Sequence, residues 1–193
     1  MKLNALNKEY DLIVTGGGIT GAGIFLEAVK MGFNVLLVDA NDFAWGTSSR
    51  SSKMVHGGLR YLKQGKFLLT KTAVKERERL LELYPGLVTP LNFIMPVYDH
   101  YGPSKSSMNI GLSIYSFMAK EKQHKTYTKD AVLGKIPALR DENLVSAVGF
   151  KDAQVDDARL VLRLIQEGCR CGGKALNYTK VVGFQRNKKG HLV

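Results

Sequence analysis

Residues Gly16-Gly17-Gly18-Ile19-Thr20-Gly21 fit the pattern G-x-G-x-x-G, and a carboxylate, Asp39, follows Gly21 by 18 positions. Those residue types at that spacing suit a pyrophosphate and a ribose. Gly16 permits a tight turn, Gly18 lets a phosphate approach the backbone, and Gly21 lets a helix pack close to a strand. A helix starting there offers free N–H groups and a partial positive charge to the phosphates. Asp39, at the end of a β-rich run, can accept hydrogen bonds from ribose hydroxyls. A glycine-rich turn beside a surface aspartate is the plain alternative. The unit does not separate NAD from FAD. An acid at position 39 disfavours NADP, because a 2′-phosphate would face a negative charge.

A second stretch, Trp45-Gly46-Thr47-Ser48-Ser49-Arg50-Ser51-Ser52-Lys53-Met54-Val55-His56-Gly57-Gly58-Leu59-Arg60-Tyr61-Leu62, departs from an ordinary next βα unit. Clustered hydroxyls and backbone N–H groups at a helix start can hydrogen-bond a further phosphate. Gly57-Gly58 would let the main chain lie against a flat ring system without Cβ clashes. A flexible serine-rich loop followed by a basic helix is the competing explanation.

The elements that must position these groups follow from periodicity. Tyr10 to Thr15 is a short apolar run and predicts a buried strand. Ile19 to Met31 has helical spacing (Ile19, Ala22, Ile24, Phe25, Ala28, Val29) and is closed by Gly32. Asn34 to Val38 predicts a second strand. The three make a βαβ unit with parallel strands and a right-handed crossover. Phe67 to Tyr84 predicts a long helix with Val74, Leu80, Leu81 and Leu83 inward, stopped by Pro85-Gly86. Leu87 to Tyr98 holds Pro90 and Pro96 and predicts an edge strand or irregular extended chain. Met108 to Met118 predicts a buried helix. Residues 119–150 look mixed and loop-rich, with a short helix at Ala131 to Ile136. Asp156 or Asp157 suits the N-cap of an amphipathic helix from Ala158 to Cys171. Lys174 to Phe184 predicts a strand, and His191-Leu192-Val193 the start of a returning one.

The 193 residues carry 28 Lys and Arg against 17 Asp and Glu, a formal charge of +11. Hydrophobic residues make up 45%, so wholesale disorder is excluded. The positive balance suits an anionic partner: nucleic acid, a phosphorylated small molecule or an anionic membrane. No basic run of nucleic-acid-arm type is present; the longest is Lys188-Lys189 beside Arg186, so no nucleic-acid partner is expected. The two cysteines, Cys169 and Cys171, stand too close to bridge and too few to make a structural zinc site, so no metal is expected. Met1 to Glu9 contains no apolar signal-peptide core. The longest uncharged run, Leu12 to Leu26, is shorter than a membrane span.

The segments Gly46 to Lys53 and His56 to Leu62 resemble the FAD-dependent glycerol-3-phosphate dehydrogenases. Asp11-Leu12-Ile13-Val14 with its glycine turn joins them, as does Val155-Asp156-Asp157-Ala158-Arg159-Leu160-Val161. The similarity runs along the chain and is weakest from 100 to 145. That family commonly has glutamate where this chain has Asp39, a departure that keeps the carboxylate.

The resemblance implies an α/β fold: a Rossmann-like FAD-binding domain of the glutathione-reductase and D-amino-acid-oxidase type, with part of an inserted α+β substrate domain. It implies the partition 1–75 (first part of the FAD-binding domain), 76–149 (part of the substrate or cap domain) and 150–193 (FAD-binding domain, continued). Family members are longer, so an amino-terminal fragment, inactive by itself, is the expectation. The cofactor implied is FAD, with Gly16, Gly18 and Gly21 on its pyrophosphate and Asp39 on the adenosine ribose. Thr47, Ser48 and Ser49 are implied at phosphate or flavin, Lys53 to Gly58 (Lys53, His56, Gly57, Gly58) along the isoalloxazine, and Val181 at adenine. His56, Arg60 and Tyr61 are the implied catalytic and substrate-facing groups. Asp156, Asp157 and Arg159 match a family motif but are equally explained by an N-cap and a surface ion pair.

The implied reaction is oxidation of sn-glycerol 3-phosphate to dihydroxyacetone phosphate, with hydride passing to FAD and electrons on to quinone. The expected setting is glycerol and glycerophospholipid metabolism, in the cytoplasm and peripheral to the inner face of the cell membrane. A homodimer is a candidate assembly. An oxygen-using glycerol-3-phosphate oxidase, another FAD-dependent amino-acid or hydroxyacid oxidase, and a non-catalytic dinucleotide-binding fragment stand as alternatives.

Overall fold

The structure is a computed structural model and describes residues 9–58, 61, 62, 64–102, 105–118, 125–188 and 190. In chain order its elements are β1 (Leu12–Thr15), α1 (Ile19–Lys30), β2 (Val35–Val38), a 3-10 turn (Thr47–Ser49), β3 (Met54–Val55), α2 (Phe67–Leu83), β4 (Val88–Tyr98), α3 (Lys105–Met118), β5 (Lys125–Thr128), α4 (Lys129–Lys135), β6 (Leu144–Val155), α5 (Asp157–Arg170) and β7 (Lys174–Leu176). They form two compact units. One comprises the chain up to Ser52 and from Asp156 onward; the other is Lys53–Val155. These packing boundaries fall at other residues than the 1–75, 76–149 and 150–193 partition.

In the first unit β1 and β2 run parallel in the register Leu12↔Val35 to Thr15↔Val38, and β7 adds to the far side of β2. The βαβ unit therefore forms where the apolar spacing puts it. Helix α1 buries Ala22, Phe25, Leu26 and Val29, an i, i+3, i+4, i+7 stripe. Ala22, Phe25 and Val29 of that stripe pack with Val35, Leu37, Val161 and Ile165 into one core. Helix α5 lies close because Gly168 and Gly173 bear no side chain: a Cβ on Gly173 would stand 2.6 Å from both Phe25 Cζ and Val29 Cγ2. Gly32, at φ +92°, turns the chain out of α1 as a C′ residue.

Two expectations fail in this unit. Strand β1 is not buried: only Val14 is, while Ile13 is 55% exposed, because β1 is an edge of the three-stranded sheet among the described residues. The strand expected over Lys174 to Phe184 contains only the three residues of β7. Its partner β2 ends at Val38, and the chain beyond turns to other acceptors, with Tyr178 N–H donating to Asn41 O and Thr179 N–H to Asp39 O. The returning strand expected at 191–193 lies outside the described residues.

The second unit is built on an antiparallel sheet ordered β3-β6-β4, with β5 also on β6. Strand β6 is its centre and pairs with β4 from Val88↔Val155 to Tyr98↔Leu144. That corrects the loop-rich expectation for its first residues: 144–150 are strand, with Leu144 and Ser146 to Gly149 buried. Strand β4 carries Pro90 and Pro96 and, among the described residues, is an edge strand paired only with β6, a place where a missing N–H is tolerated. Helix α3 buries Leu112 and Tyr115, as a core helix should. Helix α2 corrects another expectation. Its buried face is Thr70, Val74 and Arg77, and Leu83 is 53% exposed. An arginine occupies the position i+3 from Val74, and the leucines count for less than the partners it finds.

No helix among the described residues is long and apolar enough to cross a membrane.

Candidate functional site

Strand β1 delivers the chain to a turn that only glycines fit. Gly16 has φ +104°, a conformation costly for any residue with a Cβ. A Cβ on Gly21 would run into the carbonyl of Gly16, and Gly17 has the Phe43 ring against it, with Cδ1 2.5 Å from where its Cβ would be. Asp39, at the end of β2, reaches back into this turn. Its Oδ2 accepts from Gly17 N–H at 2.6 Å and its Oδ1 from Asn41 N–H at 2.8 Å. The carboxylate is thus clamped by two amides with lone pairs left over, which suits it to accept from ribose hydroxyls.

The hydroxyl-rich segment meets the same turn. Ser48 Oγ accepts from Ile19 N–H, the first amide of α1, at 2.9 Å. It lies 3.1 Å from where a Gly18 Cβ would stand. The next amides, Thr20 and Gly21, have no intrahelical acceptor by helix geometry. The first turn of α1 holds no acidic residue to repel an anion. Ser49 Oγ donates within the segment, to Gly46 O at 3.3 Å and Trp45 O at 3.4 Å. Thr47 is exposed, and the Arg50 guanidinium stacks 4.6 Å over the Trp45 ring. The segment is anchored from behind by Asp157, whose Oδ2 accepts from Ser51 Oγ at 2.7 Å and Ser51 N–H at 3.3 Å.

Replacing Ser48 with alanine removes a cap from α1. A loss of about 1 kcal/mol is expected in denaturant unfolding, with weaker flavin retention.

In the other unit the His56-Gly57-Gly58 turn is held from inside. Gly57 N–H donates to Tyr115 Oη at 2.9 Å and to Asp152 Oδ1 at 3.1 Å. Tyr115 Oη donates to Asp152 Oδ2 at 3.1 Å. Arg77 Nη1 donates to Asp152 Oδ1, Tyr115 Oη and Lys151 O, each at 3.2 Å. Burial pushes the Tyr115 hydroxyl well above the ordinary phenol range, reinforced by the Asp152 charge, so it stays a neutral donor. Burial works against the Arg77 charge, but its hydrogen bonds and the charges around it, Glu78 foremost, outweigh this and hold it firmly protonated. Gly57 and Gly58 are buried, and a Cβ on Gly57 would stand 2.5 Å from Val74 Cγ2. Packing inside the unit thus already requires glycine at 57, beside any role against a flat ring. His56 is exposed, its ring centroid 6.4 Å from that of Tyr61. Lys53 is exposed at φ +56°, its carbonyl accepting from Val155 N–H.

The structure therefore brings Gly16, Gly18, Gly21, Asp39 and Ser48 together, with Thr47 and Ser49 on the same 3-10 turn. Val181 is placed in irregular chain after β7, not in the strand expected for it, and is 38% exposed. Arg60 lies outside the described residues. Asp156 is the N-cap of α5, accepting from Arg159 N–H at 3.3 Å, and pairs with the Arg159 side chain. Of the two N-cap candidates the cap is Asp156, and Asp157 instead anchors the hydroxyl segment; a second aspartate beside a sufficient N-cap is the signal in the sequence. Among the described residues no three His, Cys, Asp or Glu groups could hold a metal, and both cysteines are free.

A strand–glycine turn–helix with a clamped acid and a capped helix start is a dinucleotide-binding unit, and the family model of the FAD-dependent oxidoreductases matches residues 11–193. The chain belongs to that family; its fold is the mixed α/β, Rossmann-like FAD-binding fold, and its cofactor class is FAD. The residues fit such a group: an open turn at Gly16, helix amides at Thr20 and Gly21 without an intrahelical acceptor, and an acid with spare lone pairs. Within the family, the chain is 40% identical over 191 residues to the aerobic glycerol-3-phosphate dehydrogenase of Staphylococcus aureus (strain USA300), matching 97% of this chain and 34% of that protein. The glycerol-3-phosphate dehydrogenase of Bacillus halodurans, solved with FAD, superposes with a TM-score of 0.72 at 35% identity, over 97% of this chain and 30% of that one. The L-α-glycerophosphate oxidase of Mycoplasma pneumoniae shares the fold, with a TM-score of 0.73 at 14% identity over 95% of this chain and 48% of that one. The chain thus spans about a third of the length of the dehydrogenases it matches.

Proposed function

We propose that this chain is the FAD-gripping portion of an enzyme that oxidises sn-glycerol 3-phosphate to dihydroxyacetone phosphate. The observation that carries it is the Ser48 Oγ to Ile19 N–H bond, which joins the glycine turn and the hydroxyl-rich segment at one helix start. FAD, when bound, supplies the two-electron acceptor for the C2 carbinol. The protein's own part is to hold and to orient. The amides of Thr20 and Gly21 and the hydroxyl of Thr47 face the phosphates, and Asp39 the ribose. His56 is the candidate base for the C2 hydroxyl, with Tyr61 and Arg60 beside substrate and Lys53, Gly57 and Gly58 along the ring system. Val181 is retained as the adenine contact. The partition into a flavin domain (1–75 and 150–193) and part of a substrate domain (76–149) belongs to the same proposal.

Full-length protein purified without added cofactor tests this. It should be yellow and should bleach anaerobically on adding glycerol 3-phosphate; a colourless protein that FAD cannot reconstitute would end the proposal. The 193-residue chain alone should show no turnover.

The electron acceptor is proposed to be a quinone, reached from the cytoplasmic face of the membrane, in glycerol and glycerophospholipid metabolism. The first turn of α2 supports a lipid contact. It exposes Phe67 (51%), Leu68 (82%) and Leu69 (46%) between Lys66 and Lys71, the composition that lies on anionic bilayers. Leu68→Asp should reduce co-sedimentation with phosphatidylglycerol vesicles severalfold and leave flavin content unchanged. Anaerobic assays with ubiquinone against oxygen consumption separate dehydrogenase from oxidase, and light scattering reads the proposed homodimer.

A further inference from the structure

In the second unit one backbone N–H is held by two buried side chains. Gly57 is buried, and two side chains from different elements converge on its amide: Tyr115 of α3 and Asp152 of β6. Both are in turn gripped by Arg77 of α2, which is fully buried. A fold that only needed to fill this space would do so with apolar residues. Desolvating an arginine and an aspartate together can cost more than their attraction returns, and here Arg77 also donates to Glu78 Oε1. What the polar cluster adds is direction: it fixes one peptide plane by two acceptors. The peptide it fixes follows His56, which is exposed, and precedes Gly58, whose φ of +79° sends the chain towards Tyr61. A small rotation at Gly57 would swing the His56 side chain, so the cluster sets where His56 stands.

We propose that Tyr115, Asp152 and Arg77 are positioning residues that lock the Gly57 peptide and thereby orient His56 for the oxidation of the C2 carbinol. The proposal rests on the flavin reading above. None of the three is accessible to substrate. They act through the turn and are not catalytic groups.

The test uses the full-length flavoprotein and two variants that keep shape, Tyr115→Phe and Asp152→Asn. The control is Leu112→Ala, which opens the fully buried contact of the same helix without touching Gly57. Each variant of the cluster should lower kcat about tenfold, the scale of a small misplacement of a reacting group. KM for glycerol 3-phosphate should stay within about twofold, and the shape of the bound flavin absorbance band should change. Hydrogen exchange of the peptide spanning 53–62 should accelerate in both. Leu112→Ala should melt lower and keep the wild-type kcat, flavin band and exchange. Wild-type kcat and exchange in Tyr115→Phe and Asp152→Asn would overturn the proposal. So would losses of kcat that merely track melting temperature across all three variants. Should the wild-type protein fail to bleach, the flavin reading falls, and the exchange rate of 53–62 without flavin still decides whether the cluster locks the turn.

Discussion

Protein carrying Gly21→Ala should lose its flavin on purification and about 2–3 kcal/mol of folding stability, the upper part of the range for forced overpacking. The reason lies in what a methyl group would meet. At Gly21 it would overlap the carbonyl oxygen of Gly16 and reach to 3.4 Å from Val14 Cγ1. The obstacle is backbone, so no side chain can rotate away, and α1 must lift from β1. Lifting it separates the helix amides from the turn and breaks the Ile19 N–H to Ser48 Oγ bond. Gly23, two residues on in the same helix, has nothing within 4 Å of its would-be Cβ. Gly23→Ala should therefore stabilise the protein slightly, by about 0.5–1 kcal/mol, and leave flavin content unchanged. Urea unfolding with the 450 nm absorbance of purified protein checks both. Equal behaviour of the two variants would refute a packing role for Gly21.

The dinucleotide turn was legible in sequence because everything that specifies it is local. Gly16 to Gly21, the helical spacing of Ala22, Phe25 and Val29, and Asp39 after a short apolar run all lie within one βαβ unit, and each obeys its own period. The role of Ser48 was legible only as a hydroxyl near phosphates. That it caps α1 depends on 29 residues of intervening chain folding back. Strand β6 escaped in part because Gly149, Lys151 and Asp152 interrupt its apolar run. Asp152 is tolerable in a central strand only because Arg77, Tyr115 and the Gly57 amide receive it, and those partners are 37 to 95 positions away. The same blindness hid Arg77. A charge between Lys75 and Glu78 reads as a solvated face until the tertiary partner is known. Hydrophobic pattern reports which faces are dry, and it is silent where a dry face is made of paired polar groups.

That pairing sets the second large effect. Replacing Arg77 with methionine keeps most of the volume of the side chain but leaves the Asp152 carboxylate, 5% exposed, with only Tyr115 and the Gly57 amide for compensation. Leaving one member of a buried ion pair alone costs about 3–5 kcal/mol, far more than the pair contributes over an apolar substitute. The double variant Arg77→Met with Asp152→Asn should recover much of that loss, because no uncompensated charge is left inside. Arg79 is the internal comparison. Its pair with Glu76, at 3.7 Å and open to solvent, should be worth no more than about 0.5 kcal/mol, so Arg79→Ala is expected to be nearly silent. Denaturant unfolding of Arg77→Met, Asp152→Asn, their double variant and Arg79→Ala, with the coupling energy taken from the Arg77/Asp152 cycle, distinguishes the cases. A cost for Arg77→Met no greater than that for Arg79→Ala would mean that water or a proton reaches Asp152, and that the interior around Gly57 is looser than its hydrogen bonds imply. A large single-variant loss with a strong recovery in the double variant would locate the cost in the abandoned carboxylate. Arg77 would then be kept for the direction it gives the turn and not for stability.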